Sequence, residues 1–184
     1  MTKQWKIILI AIAGLSAIYV INISNQGKHT TSAVEIFPVK PDDISSFVIT
    51  EGDQTIELTR KDTLWEITGN DSLNVKKFTI KNFLTKSLNV KRETMISKNP
   101  EKWNTYSVDD SNGVRLELFD QNGSEIGSAI FGRSKSEWSK NFVRVGNDKE
   151  VFQTNENILY QLQTRPNYWG EKPKPPEPDS TSTE

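Results

Sequence analysis

Apolar residues are spaced in three ways along this chain. From Ile7 to Ile23 they run nearly unbroken and carry no charge. From Ser46 onward they mostly alternate with polar residues, the period of a half-buried strand. In two stretches they recur every three or four positions, the period of a helix. Alternation predicts strands at Ser46–Thr50, Thr55–Arg60 and Leu64–Thr68, with turns at Glu51-Gly52-Asp53 and Lys61-Asp62, a three-stranded meander with one buried face. Helical spacing follows in "NVKKFTIKNFLTKSLNVK", where Ile80, Phe83, Leu84 and Leu88 share a face and Asn74 can cap. Val75 and Phe78 fall off that face, so the start of the helix stays open. A strand over Arg92–Ser97 and a short helix over Pro100–Asn104 come next. Strands then recur at Val114–Phe119, Ile126–Phe131, Asn141–Val145 and Val151–Gln153. A last helix is expected over Asn155–Gln163, capped by Thr154, with Ile158, Leu159 and Leu162 inward and Pro166 ending it.

The fold class expected is α+β: two antiparallel β-meanders, each followed by a helix, preceded by one N-terminal transmembrane helix. Strands then helix, twice, also suggests a weak internal repeat.

The run at 7–24, with its flanks, has the length for a span. About 19 residues make a helix of about 28 Å, against a hydrocarbon core of about 30 Å. Trp5 and Tyr19 suit the two interfaces, and Lys6 can snorkel. A cleaved signal would need small residues at the end of the apolar run, and none are paired there, so an uncleaved anchor is the favoured reading. Lys3 and Lys6 precede the run with no acid beside them, which sets the N-terminus inside and the rest outside. The chain therefore divides into a cytoplasmic N-terminus (1–6), a transmembrane anchor (7–24), a polar tether (25–42), an extracytoplasmic domain (43–169) and a Pro-rich tail (170–184). In a bacterium this places a single-pass protein in the inner membrane, facing the periplasm.

Chemistry-bearing residues are sparse. The chain of 184 residues has 23 basic and 24 acidic side chains, so no basic excess points to nucleic acid. It has no cysteine, which removes thiol catalysis, disulfides and cysteine-ligated zinc. Its one histidine, His29, falls in the tether and cannot build a triad or a typical zinc site. Asp42-Asp43 and Asp109-Asp110 read as turn or cap residues. Ser134 and Ser136 lack a nucleophile elbow, and the glycines stand singly at turns. The basic run Lys76, Lys77, Lys81, Lys86, Lys91, Arg92 reads as a solvated helix face, or as attraction to anionic lipid or an acidic partner. No catalytic residue, cofactor or metal is expected.

"LWEI", "NVKKFTIKNFLTKSLNVKRE", "NPEKWNTYSV", "IFGRS" and "NFVRVGNDKEVFQTNENILYQL" together resemble the domain-of-unknown-function 4340 family over most of residues 44 to 165. The family's aromatic–glycine–apolar triplet is Tyr106-Ser107-Val108 here, a serine where glycine would permit a left-handed backbone. The resemblance implies a membrane-anchored bacterial protein, auxiliary to ABC transporters of the gliding-motility type, with no established catalytic residues.

Two functions follow as expectations. One is an anchored binding or adaptor domain that engages a transporter or envelope protein. The other is an envelope hydrolase or small-ligand module whose site is built by tertiary contacts. In the first, "SKSEWSKN" supplies the partner surface, with Lys135, Trp138 and Lys140. Trp138 has no periodic apolar neighbours, so it is either an interface anchor or a cover folded onto the sheet edge.

Overall fold

Every stretch with period-two alternation forms a strand, and all of them enter one sheet. The computed structural model describes residues 12, 14–16, 33–135 and 137–173. In chain order the strands are β1 (Val34–Glu35), β2 (Ser46–Glu51), β3 (Gln54–Lys61), β4 (Leu64–Ile67), β5 (Asn74–Val75), β6 (Lys91–Ser97), β7 (Val114–Phe119), β8 (Glu125–Arg133), β9 (Asn141–Val145), β10 (Val151–Thr154) and β11 (Gly170–Glu171). Nine of them form an antiparallel sheet in the order β1-β6-β10-β9-β8-β7-β2-β3-β4, and β5 pairs separately with β11. The α-helices are α1 (Lys77–Asn89) and the single turn α2 (Pro166–Trp169); 3-10 turns lie at Pro41–Asp43, Pro100–Lys102 and Asn104–Tyr106.

This corrects the expected two meanders, each followed by a helix. β2 pairs with β7 in unbroken register, Ser46 opposite Phe119 through Glu51 opposite Val114. The two meanders are thus one sheet, and the suggested repeat disappears. The second helix does not form: Asn155–Gln163 is a run of bends and turns. Side chains there bind the backbone in place of a helical ladder. Asn141 Oδ1 accepts the Ile158 N–H (2.8 Å), Asn157 Oδ1 accepts the Leu159 N–H (3.0 Å), and Thr154 Oγ1 donates to the Glu156 carbonyl (2.8 Å). Ile158 and Leu162 are still buried, but from a loop.

No helix among the described residues is long and apolar enough to cross a membrane. The spanning helix expected before the sheet is therefore not part of the described fold. Of segment 7–24 only Ile12, Gly14, Leu15 and Ser16 are described, as helical. Lys3, Trp5, Lys6, Tyr19 and His29 lie outside the described residues, as do 174–184. The packed body also reaches beyond 43–169. Val34 pairs with Arg92, Ile36 and Phe37 are buried, and Gly170–Glu171 forms β11.

The main core lies between one face of the sheet and α1. Ile80, Phe83 and Leu88 point into it from α1, while Phe78 is exposed. The helix starts at Lys77, not at the expected cap Asn74, because Asn74–Val75 pairs with β11 and the Lys76 N–H donates to the Trp169 carbonyl (2.8 Å). Trp169 is fully buried against Phe47 and Phe83, with ring centroids 5.3 and 5.1 Å away. Its Nε1 donates to the Gln163 carbonyl (2.6 Å), so burial leaves its one polar group bonded. Trp65 packs on Phe47 at 5.3 Å but only at the rim of the core.

The opposite face carries a smaller cluster. Val108, Ile130 and Val151 are buried there, flanked by Trp103, Tyr106 and Phe142. The segment from Pro100 to Gly113 covers them and lies directly on β8. Ser107 in that segment has φ 53°, so the left-handed backbone is kept without glycine. Arg144, 5% exposed, ties the segment to β9: Nε donates to the Val108 carbonyl (3.0 Å), and the guanidinium lies 4.1 Å over the Trp103 ring and 3.2 Å from Asp110.

Candidate functional site

The β8–β9 connection is longer than a hairpin needs, and side chains on three sides hold it in place. The Glu137 N–H donates to Ser134 Oγ (3.1 Å), Gln153 Nε2 donates to Glu137 Oε2 (2.9 Å), and Asn157 Nδ2 donates to the Trp138 carbonyl (2.9 Å). Lys140 reaches Glu93 of β6 at 3.1 Å and lies 4.0 Å from Glu137. The hydrogen bond to Glu93 pushes its ammonium above the ordinary lysine value. The charge of Lys140 is therefore engaged within the loop and its neighbours.

Trp138 is 77% exposed on this pinned loop. It does not cover the sheet edge: β8 and β9 are inner strands, and the ring projects from the end of their hairpin. Beside it, a shallow cleft of about 240 Å³ is lined by Arg133, Trp138, Lys140, Asn157, Leu159 and Tyr160, among others. A neighbouring cleft of about 470 Å³ shares Arg133 and Leu159 and adds Lys135 and Leu162. Trp138 and Lys140 thus share one cleft, and Lys135, exposed, lines the next. Sequence reasoning missed Arg133 and Tyr160. Tyr160 is 56% exposed and stands with Trp138 on the same cleft. Reading 155–163 as a helix hid it, because an isolated tyrosine on a helix's polar face carries no signal.

The surface offers two aromatic rings with Arg133 at their margin and Lys135 on the adjoining cleft. That suits contact with a partner having apolar and acidic groups. Among the described residues, no group of three or more His, Cys, Asp or Glu side chains is placed to hold a metal ion.

No curated protein and no solved structure matches the chain. One family model does match, over residues 65–173, which is more than half of the 184 residues and runs from β4 past β11. The chain belongs to the family described as Domain of unknown function (DUF4340).

Proposed function

We propose that the chain is a membrane-tethered extracytoplasmic adaptor, an auxiliary component of an ABC transporter or a related envelope complex. The apolar segment 7–24 seats in the inner membrane, the body faces outward, and the Trp138 surface engages the partner. Trp138 carries this reading. A large ring held out into solvent on a loop fixed by Glu137, Gln153 and Asn157 adds little to the domain's own core. Pre-fixed aromatic side chains are the usual anchors of protein interfaces, because little rotamer entropy is left to lose.

The test compares full-length chain and Trp138→Ala, each purified with its partners from mildly solubilised membranes. The substitution leaves folding stability within about 0.5 kcal/mol, as surface changes do. It weakens recovery of transporter subunits by about 2 kcal/mol or more, the scale of an interface hot spot. A lower melting temperature with unchanged recovery refutes the anchor role. Protease added to spheroplasts digests the body; protection of it refutes the orientation.

A further inference from the structure

β4 is one of the two outer strands of the nine-stranded sheet, β1 being the other. Its register against β3 decides which backbone groups point outward. The Thr68 N–H donates to the Glu57 carbonyl (2.9 Å), and Ile67 stands opposite Leu58. Bonded and non-bonded pairs alternate along an antiparallel ladder. Leu64 and Glu66 therefore bond to β3, and Trp65 and Ile67 turn their peptide groups away from it. The Ile67 carbonyl accepts the Asn70 N–H (3.0 Å). The Trp65 N–H and C=O and the Ile67 N–H remain directed outward. Proteins usually blunt such an edge with free charge, proline or a bulge. Here Lys61 and Glu66 neutralise each other at 2.5 Å, and Leu64, on the opposite face of the strand from Trp65, is 53% exposed.

Along this edge runs a trough in two parts. One part, about 550 Å³, lies between β4 and residues 70–75 and is lined by Glu66 and Asp71 as well as Lys61 and Lys77; the other, about 290 Å³, lies between β4 and α1 and carries no acid. The second part is walled by Leu64, Trp65, Val75, Ile80 and Leu84, and its charged side chains are Lys77 and Lys81. Neither lysine belongs to an ion pair among the described residues. Phe78, 74% exposed, stands next to Lys77 on the same helix.

We propose that this edge takes an extended acidic–apolar peptide as a tenth strand. Its backbone completes the ladder at Trp65 and Ile67, its apolar side chains enter the trough, and its carboxylates meet Lys77 and Lys81. The three features together select a peptide. An anionic amphiphile fills the trough and meets the lysines but leaves the Trp65 and Ile67 peptide groups without partners. A second copy paired through β4 about a two-fold axis brings Lys77 and Lys81 of both chains onto one face, where they repel. This edge is separate from the Trp138 surface, and the inference does not depend on that surface's role.

The probe is a fluorescein-labelled six-residue synthetic peptide alternating valine with glutamate. It is titrated with the full-length chain in mild non-ionic detergent and followed by anisotropy. Saturable binding is expected, with amide shifts in nitrogen-15 spectra centred on Trp65 and Ile67. Lys77→Ala combined with Lys81→Ala weakens it about tenfold, the scale of charge-assisted contacts. Backbone N-methylation of the peptide at the positions facing β4 abolishes binding, since it removes the ladder donors. Absence of saturable binding, binding indifferent to N-methylation, or equal binding of a valine–lysine peptide each overturns the proposal. Dodecanoate binding at the trough where the peptide fails assigns the site to amphiphiles. A dimer in sedimentation that Trp65→Arg dissolves, with no peptide binding, assigns it to self-association. Both of these outcomes also overturn it.

Discussion

Gly132→Ala probes the clamp that holds the 100–113 segment on the sheet. A Cβ at this position would lie 2.0 Å from the Tyr106 carbonyl oxygen and 2.7 Å from that of Ser107. Carbon–oxygen contacts normally stop at about 3.3 Å. Both obstacles are backbone, so no rotamer change relieves them. Gly132 is held in place as well: it stands opposite Phe142 of β9, and its neighbour Phe131 is paired with both Val114 of β7 and Val143 of β9. The covering segment must therefore lift by more than an ångström. Accommodated strain of this kind costs about 1–3 kcal/mol. Full undocking would expose Val108, Ile130 and Val151, each worth about 1.5–3 kcal/mol when buried, and would strip Arg144 of its bond to the Val108 carbonyl. Partial lifting is the cheaper response, and the expected loss is about 3 kcal/mol. Urea unfolding of the full-length chain in mild detergent, followed by tryptophan fluorescence, measures it, and Trp103 reports directly on the segment. The control is Gly127→Ala, whose Cβ would meet the Phe37 side chain at 3.0 Å, a contact that a small ring movement relieves. If Gly132→Ala costs under 1 kcal/mol, or no more than Gly127→Ala, the segment is not clamped as described.

Two further outcomes are expected. Ser107→Gly should stabilise the chain by about 0.5–1 kcal/mol, the relief of about 1–2 kcal/mol of left-handed strain less about 0.5–1 kcal/mol of added backbone entropy; a lower urea midpoint would contradict this. Asp120 caps the β7–β8 turn, accepting from Ser124 N–H (2.9 Å) and Asn122 N–H (2.8 Å), and these bonds, that from Ser124 first, hold its carboxyl below the ordinary 3.8. Its contribution is therefore present above the unfolded value and lost as pH falls through the folded one. The Ser124 amide shift should titrate with a midpoint below 3.8 in the wild type and be flat in Asp120→Asn; a midpoint at or above 3.8 refutes the capping role.

The strands were legible in the sequence because alternation and turn chemistry are local. Gly52, Gly123 and Gly146 all take positive φ at the turns their positions suggested, and so does Asp62. Pairing between distant strands was not legible. Nothing in Ser46–Glu51 names Val114–Phe119 as its neighbour, so one sheet read as two meanders. The segment 155–163 misled because Ile158, Leu159 and Leu162 have helical spacing, while the Asn141 and Asn157 side chains that override it act across space or within a turn. Trp169 gave no signal in the sequence, since an isolated aromatic before a Pro-rich stretch shows no period, yet it plugs the core. At the candidate site Trp138 was legible as an aromatic alone in a polar loop. Tyr160 became visible only once the chain beneath it proved not to be helical.

The position of Trp169 bears on synthesis as much as on packing. A ribosome delivers β1 through β10 before Trp169, yet the ring closes the core between Phe47 and Phe83. β1 waits for β6, β6 for β10, and β2 for β7. Each of these joins closes a long loop, and such closures make folding slow. No nascent intermediate length therefore has a sealed interior. The earlier strands must be kept from pairing with other chains until Trp169 has been made, and the body then folds as one unit rather than strand by strand as it emerges.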